Sequence, residues 1–173
     1  MKILVTAASK HGATEEIAEW IGATLRTRGL EAVVDRPGDV TAVDGYDAVV
    51  LGSAVYIGKW LQAATDLVDR LGPQLSERPV YLFSSGPMGD PPKPDTDPTD
   101  VQFMRAATEA VEHRLFAGRI DRQRMGLGER AVVTALRVPD GDSRPRAEIE
   151  AWANSIADAL TSTYATAPAP AAA

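Results

Sequence analysis

Short apolar runs alternate with helical stripes along this chain, and that alternation leaves few architectures open. Lys2-Ile3-Leu4-Val5-Thr6-Ala7 reads as a buried strand. Asp47-Ala48-Val49-Val50-Leu51-Gly52-Ser53 and Pro79-Val80-Tyr81-Leu82-Phe83-Ser84-Ser85 are continuous apolar runs, as strands buried on both faces of a parallel sheet are. Leu30-Glu31-Ala32-Val33-Val34-Asp35 alternates, as an edge strand does, and Leu115-Phe116-Ala117-Gly118-Arg119-Ile120 is a weaker fifth strand. Helical spacing recurs between them. Ile17, Trp20 or Ile21, and Leu25 form one stripe, with Gly29 as its C-cap. Leu61, Ala64, Val68 and Leu71 form another, stopped by Gly72-Pro73. Met104, Ala107, Val111 and Leu115 form a third, opened by Thr99-x-x-Gln102 in a capping-box pattern. Ile149, Trp152, Ile156 and Leu160 form the last.

Strands separated by helices predict an α/β fold of three layers, with a five-stranded parallel sheet covered on both faces. An edge-like second strand and a central first strand suit the order 2-1-3-4-5. Ligands of such sheets bind outside the C-terminal ends of the strands, where the order reverses. The informative loops are therefore 9–14, 53–59 and 84–90.

The first of these, Ser9-Lys10-His11-Gly12-Ala13-Thr14, joins a strand directly to a helix. Such a junction points free backbone N–H groups and the positive helix end at one spot, and Ser9 and Thr14 add hydroxyls. The bland alternative is a βα turn in which Ser9 or Thr14 only caps the helix. The stretch is neither a nucleoside-triphosphate loop nor a G-x-G-x-x-G dinucleotide loop, so a cradle for a monophosphate is what remains. In the second loop, Ala54-Val55-Tyr56-Ile57-Gly58 sets an aromatic beside small residues, and a planar ring could lie on Tyr56. Trp60 reads as packing. In the third, Ser84-Ser85-Gly86-Pro87 follows a buried strand and runs into a proline-rich stretch.

Composition removes several function classes. The chain has 173 residues, no cysteine, two histidines and a formal net charge of −6. Thiol chemistry and cysteine metal sites are excluded, and the acidic balance argues against nucleic acid as a partner. No apolar run approaches the roughly 20 residues that span a bilayer. The N-terminus has no secretory pattern, which leads to the expectation of a cytoplasmic protein.

Taken together, the three loops resemble those of flavodoxin-fold FMN proteins. More narrowly they resemble the branch that includes menaquinone-dependent protoporphyrinogen dehydrogenases. Ser9–Thr14 matches [ST]-x-T-G-x-T with His11 in place of the middle threonine. The run from Val49 to Gly58 is similar to that branch's second flavin loop, and so is the ending Phe116-Ala117-Gly118-Arg119-Ile120-Asp121. The resemblance implies FMN as cofactor, held by Ser9, Lys10, His11, Gly12, Ala13, Thr14, Ala54, Val55, Tyr56, Ile57, Gly58, Ser84, Ser85, Gly86 and Pro87. It implies electron exchange with a redox partner protein, a quinone or a porphyrinogen. Porphyrinogen dehydrogenation proper is one alternative, and a flavodoxin-like binding module without catalytic activity is another. No side chain is assigned as a catalytic acid or base, because the flavin carries the chemistry.

Two departures from a minimal flavodoxin stand out. The third loop offers Pro87 and Met88 and no aromatic, so one ring face is left open or covered by an aliphatic side chain. Residues 122–144 are extra, with Met125, Leu127, Val132, Val133, Leu136 and Val138 set among Arg122, Arg124, Arg130 and Arg137. An amphipathic helix is expected over 125–137, with a strand at 131–136 as the competing reading. Packing against the sheet edge is the plainer role for it; contact with an anionic substrate or a bilayer surface is the sharper one. The domain is expected to cover 1–164, and the Ala/Pro-rich residues 165–173 to form a disordered tail.

Overall fold

The computed structural model describes residues 1–86, 97–135 and 140–165. In chain order the elements are β1 (Lys2–Ala8), α1 (Ala13–Thr27), β2 (Glu31–Asp35), β3 (Ala48–Tyr56), β4 (Lys59–Trp60), α2 (Gln62–Leu75) and β5 (Val80–Ser85). Then follow α3 (Val101–Thr108), β6 (Glu112–Phe116), β7 (Arg119–Ile120), a 3-10 turn (Arg122–Arg124), α4 (Leu127–Ala135), β8 (Gly141–Asp142) and α5 (Arg146–Ala165). The sheet order is β2-β1-β3-β5-β6, all parallel, with β4 folded back antiparallel on β3. Numbered by the five parallel strands, this is the expected 2-1-3-4-5.

Alternation along the strands divides the core between two faces. Ile3, Val5 and Ala7 pack with Ile17, Ile21 and Leu25 of α1 and with Ile149, Trp152 and Ile156 of α5. Phe83, Phe116 and Trp152 meet there with ring centroids 5.6–6.2 Å apart. On the other face Leu4, Leu51, Val80 and Leu82 pack with Ala64, Leu67 and Leu71 of α2 and Val101 and Met104 of α3. At Gly52 a Cβ would lie 2.1 Å from the Phe83 ring, so only glycine lets β3 and that ring share the layer. The end of α1 is closed as its sequence predicts, by Gly29 N–H to Arg26 O and Leu30 N–H to Leu25 O.

Several boundaries differ from the sequence reading. α2 continues through Gly72-Pro73 to Leu75, because Leu75 is completely buried and its packing carries one more turn past the proline. α3 stops at Thr108, where Glu109 turns left-handed at φ 49°. Val111 N–H then pairs with Val80 O, so sheet pairing takes the 111–115 stretch that helical spacing had assigned to α3. The fifth strand accordingly spans 112–116. Arg119–Ile120 leaves the sheet and pairs antiparallel with Gly141–Asp142. Thr99 makes no capping box; its hydroxyl donates to Gly58 O. The extra segment forms a helix at 127–135 rather than a strand, and its polar contacts run to the 9–14 loop instead of along the sheet edge. Residues 136–139 and the tail from 166 lie outside the described residues.

Candidate functional site

Four residues carry the chain from the end of β1 to the start of α1. Gly12 is left-handed at φ 84° and gives α1 no side-chain cap. The Thr14 N–H donates to Ser9 Oγ across the loop at 3.2 Å, and Thr14 is buried. Ser9 Oγ thus takes one amide of the first turn of this 15-residue helix, and the remaining first-turn amides beside the two hydroxyl side chains fit a terminal phosphate. The side chains of the loop face α4. Lys10 Nζ lies 2.5 Å from Glu129 Oε1, His11 Nε2 lies 3.2 Å from Glu129 Oε2, and Gly126 N–H donates to the same carboxylate at 3.0 Å. The Lys10 hydrogen bond and then that from Gly126 outweigh the opposing effect of burial and, with a lesser contribution from His11, hold the Glu129 carboxyl down at about 2.

A cavity of about 160 Å³ runs on from this loop between the C-terminal ends of β3 and β5. Ser9, Lys10, His11, Ala13 and Thr14 line one end, and Ala54, Val55, Tyr56, Ser85 and Gly86 line the floor. Burial, with the Glu129 charge behind it, raises the Tyr56 phenol, and Lys10 Nζ sits 5.2 Å from the Tyr56 ring centroid. Backbones approach closely at the far wall: a Cβ on Gly118 would lie 3.2 Å from Gly86 Cα. The donors suit a phosphate and the walls suit a flat ring. With α4 across the mouth, however, the space is smaller than the roughly 300–1,000 Å³ of ordinary small-molecule sites.

Not every expected residue lines this cavity. Gly12 shapes the loop from within. Ile57 and Gly58 form the tip of the β3–β4 hairpin, and the Ile57 side chain is fully exposed. Ser84 faces the α2/α3 layer, bonded to Trp60 and His113. Pro87 lies outside the described residues. The sequence reading missed Gly118, Arg119, Ile120, Met125 and Val133 as wall residues. Met125 and Val133 belong to the extra segment, which thus supplies aliphatic cover where an aromatic clamp was absent.

Arginines fix this segment to α1. Arg144 Nη2 reaches Glu16 Oε2 at 2.8 Å and Asp142 Oδ2 at 2.6 Å, Nη1 donates to Ala13 O at 2.9 Å, and Arg119 Nη1 reaches the same Glu16 oxygen at 2.9 Å. Among the described residues no three His, Asp or Glu side chains converge as a metal site would require. None of their helices is long and apolar enough to cross a membrane.

The chain is similar to the protoporphyrinogen IX dehydrogenase [quinone] of Escherichia coli (strain K12), 26% identical over 102 residues. That match takes in 58% of this chain and 56% of the relative, so the chain spans about half the length of the curated relatives it matches. Its fold is that of a flavodoxin from the domain Archaea, with TM-score 0.64 and 18% identity over 93% of this chain and 99% of that one. A flavodoxin of Streptococcus pneumoniae TIGR4 superposes with TM-score 0.62 at 19% identity, over 94% of this chain and 99% of the other. The family model described as a flavodoxin domain matches residues 4–145, and the chain therefore belongs to the flavodoxin family of FMN-binding domains.

Proposed function

We propose that this protein is a cytoplasmic FMN-dependent redox protein that holds the cofactor's phosphate in the Ser9–Thr14 loop and its ring along Ala54, Val55 and Tyr56. One observation carries the reading: the first turn of α1, the Ser9 and Thr14 side chains and the Tyr56 floor line one cavity. Bound FMN accepts and donates one or two electrons. The chain's residues bind and orient. First-turn amides and hydroxyls take the phosphate charge, Tyr56 and Ser85-Gly86 flank the ring, and Met125 and Val133 keep water from its outer side. No described side chain in the cavity needs to transfer a proton.

A quinone or a porphyrinogen is the proposed electron partner. The relative from E. coli supports it, as does the extra segment, which exposes Leu127 and carries Arg124, bonded to the His11 carbonyl of the phosphate loop. An apolar residue edged by arginines suits an anionic, largely apolar molecule or a bilayer surface. The simpler reading, electron carriage to a redox partner protein, shares the same cofactor site.

The visible spectrum of purified protein reconstituted with FMN is the first test; a protein that stays colourless refutes the proposal. Combined Ser9→Ala and Thr14→Ala substitution is expected to weaken FMN binding by about 2–4 kcal/mol, from two charge-assisted hydrogen bonds. That is a loss of roughly 30- to 1,000-fold in Kd by titration. Unchanged affinity would remove the phosphate from this loop. Anaerobic turnover of protoporphyrinogen with menaquinone separates the two partner readings, since a carrier that retains FMN shows none.

A further inference from the structure

Polar groups behind the cavity floor satisfy one another. Trp60 Nε1–H donates to Ser84 Oγ at 2.7 Å, Ser84 Oγ lies 2.8 Å from His113 Nε2, and His113 Nδ1 lies 3.1 Å from Asp97 Oδ1. The wall beside the phosphate loop is different. Arg119 lines the cavity together with Ser9, Ala13 and Thr14. Its Nη1 donates to Glu16 Oε2 at 2.9 Å, but its Nη2 is buried and finds no acceptor among the described residues.

A buried donor on a charged group costs free energy until something supplies an acceptor. The carboxylates around Arg119 are already shared. Glu16 Oε2 also takes Arg144 Nη2 at 2.8 Å, and Arg144 holds both oxygens of Asp142. The Ala13 carbonyl is taken by Arg144 Nη1. Lys10, another cation on the cavity wall, is paired with Glu129. The spare donor therefore sits on Arg119.

Its position is fixed from both ends. The backbone of Arg119 pairs with Asp142 in the β7–β8 ribbon, and its tip is held by Glu16 in the first turn of α1. The guanidinium thus lies against the turn whose amides, with Ser9 and Thr14, suit a phosphate. Held by Nη1 alone, and with its side chain 18% exposed, it can turn Nη2 about that bond.

We propose that Arg119 is a phosphate-binding residue: its spare Nη2 donates to the terminal phosphate of the bound cofactor and raises the preference of the site for phosphorylated flavin over riboflavin. This rests on the FMN reading above. A phosphate monoester carries a charge of about −1.5 to −2 at pH 7, whereas amides and hydroxyls offer only partial charges. Arginine adds a full one through a charge-assisted bond. Riboflavin ends in a hydroxyl and draws no such bond. Glu16 acts with the opposite sign, because its carboxylate holds the guanidinium and repels the phosphate.

Two substitutions that break one ion pair should then act in opposite directions. Arg119→Gln is expected to weaken FMN binding about 10- to 30-fold by fluorescence titration, one charge-assisted hydrogen bond's worth, and to change riboflavin affinity less than about twofold. Glu16→Gln frees Arg119 and removes a negative charge, so FMN should bind about two- to fivefold tighter. Equal losses of FMN and riboflavin affinity in Arg119→Gln overturn the proposal. So does a loss of FMN affinity in Glu16→Gln as large as that in Arg119→Gln, since a pair that only holds α1 in place would behave that way. The apoprotein gives a test without flavin. Inorganic phosphate, compared with sodium chloride at equal ionic strength, is expected to raise the Tm of the wild type and of Glu16→Gln but not of Arg119→Gln. The same response in all three, protection or none, overturns the anion site. A wild type that binds neither flavin refutes the cofactor reading instead, and the phosphate measurement alone then decides the role of Arg119.

Discussion

Arg144 is the residue whose replacement most directly tests how the extra segment is tied to the phosphate loop. Its side chain is 2% exposed. Nε and Nη2 grip both oxygens of Asp142 at 2.8 and 2.6 Å, Nη2 also meets Glu16, and Nη1 holds the Ala13 carbonyl. The guanidinium lies 4.5 Å from the Trp20 ring centroid. Glu16 and Asp142 are 41% and 45% exposed, so water recovers part of each lost bond in Arg144→Ala. With about 1 kcal/mol for each of three screened charge-assisted interactions and about 0.5–1 for the cation–π contact, the loss comes to about 3–4 kcal/mol. For a chain of this size that is a fall in Tm of roughly 10 °C. Arg144→Lys keeps the charge without the planar fork and should recover less than half of it. Because Ala13 and Glu16 lie in the first turn of α1, FMN affinity should fall in the same variants. Acid provides a sign test. Burial opposes ionisation of Glu16, but Arg144 and Arg119 outweigh it and hold the carboxyl below 4.5, while the Arg144 hydrogen bond holds Asp142 below 3.8. Depressed carboxylates contribute stability above their ordinary pKa and lose it as pH falls through the folded value. The Arg144→Ala deficit should thus be full at neutral pH and shrink below about pH 4. Thermal unfolding of apoprotein across that range is the assay. A lysine variant as stable as wild type would refute the geometric argument.

Glu129→Gln removes the carboxylate that Lys10 and His11 hold, at a cost of about 1 kcal/mol after solvent screening, and should speed FMN association in stopped-flow mixing as α4 is released. In the wild type the Glu129 contribution is complete above pH 4.5 and is lost as pH falls from there towards about 2; a variant with the same acid profile as wild type would contradict the pairing. Ile57→Gly relieves a left-handed β-branched residue whose side chain is fully exposed, and should gain about 1 kcal/mol in chemical denaturation; a loss would mean the side chain has a partner.

Four of the five parallel strands were legible from sequence, β2 by the alternation of an edge strand and the other three as strands buried on both faces. β1, β3 and β5 read as apolar runs because helices cover them above and below. β6 did not, since Glu112-His113-Arg114 sits at the sheet margin, where a polar strand is tolerated, and helical spacing through Val111 and Leu115 competed for the same residues. Side-chain direction was readable and went unread at Ser84. Counting by twos from the buried Leu82 puts its hydroxyl in the α2/α3 layer and away from the cavity. His113 and Asp97 were not recoverable in this way. They meet Ser84 only because parallel pairing brings β6 beside β5 and the 97–100 turn across their ends. The pairing of Lys10 with Glu129 spans more than a hundred residues and leaves no local pattern, although the basic and apolar content of 122–144 did mark that segment as extra.

The absence of a second aromatic takes on physical meaning once α4 is in place. An aromatic in the third loop would cover a bound ring from a fixed strand end. Met125 and Val133 cover the cavity from a segment attached at two points of different strength. One is the β7–β8 ribbon, where Arg144, 2% exposed, and Arg119 converge on Glu16, itself 41% exposed, and Arg144 also holds Asp142 and the Ala13 carbonyl. The other is the single carboxylate of Glu129, 23% exposed, on Lys10 and His11. Fewer partners hold the second attachment, so loss of Glu129 is expected to loosen α4 while the ribbon stays in place. Lys10, His11 and Glu129 are thereby expected to set how firmly Val133 stays over the cavity.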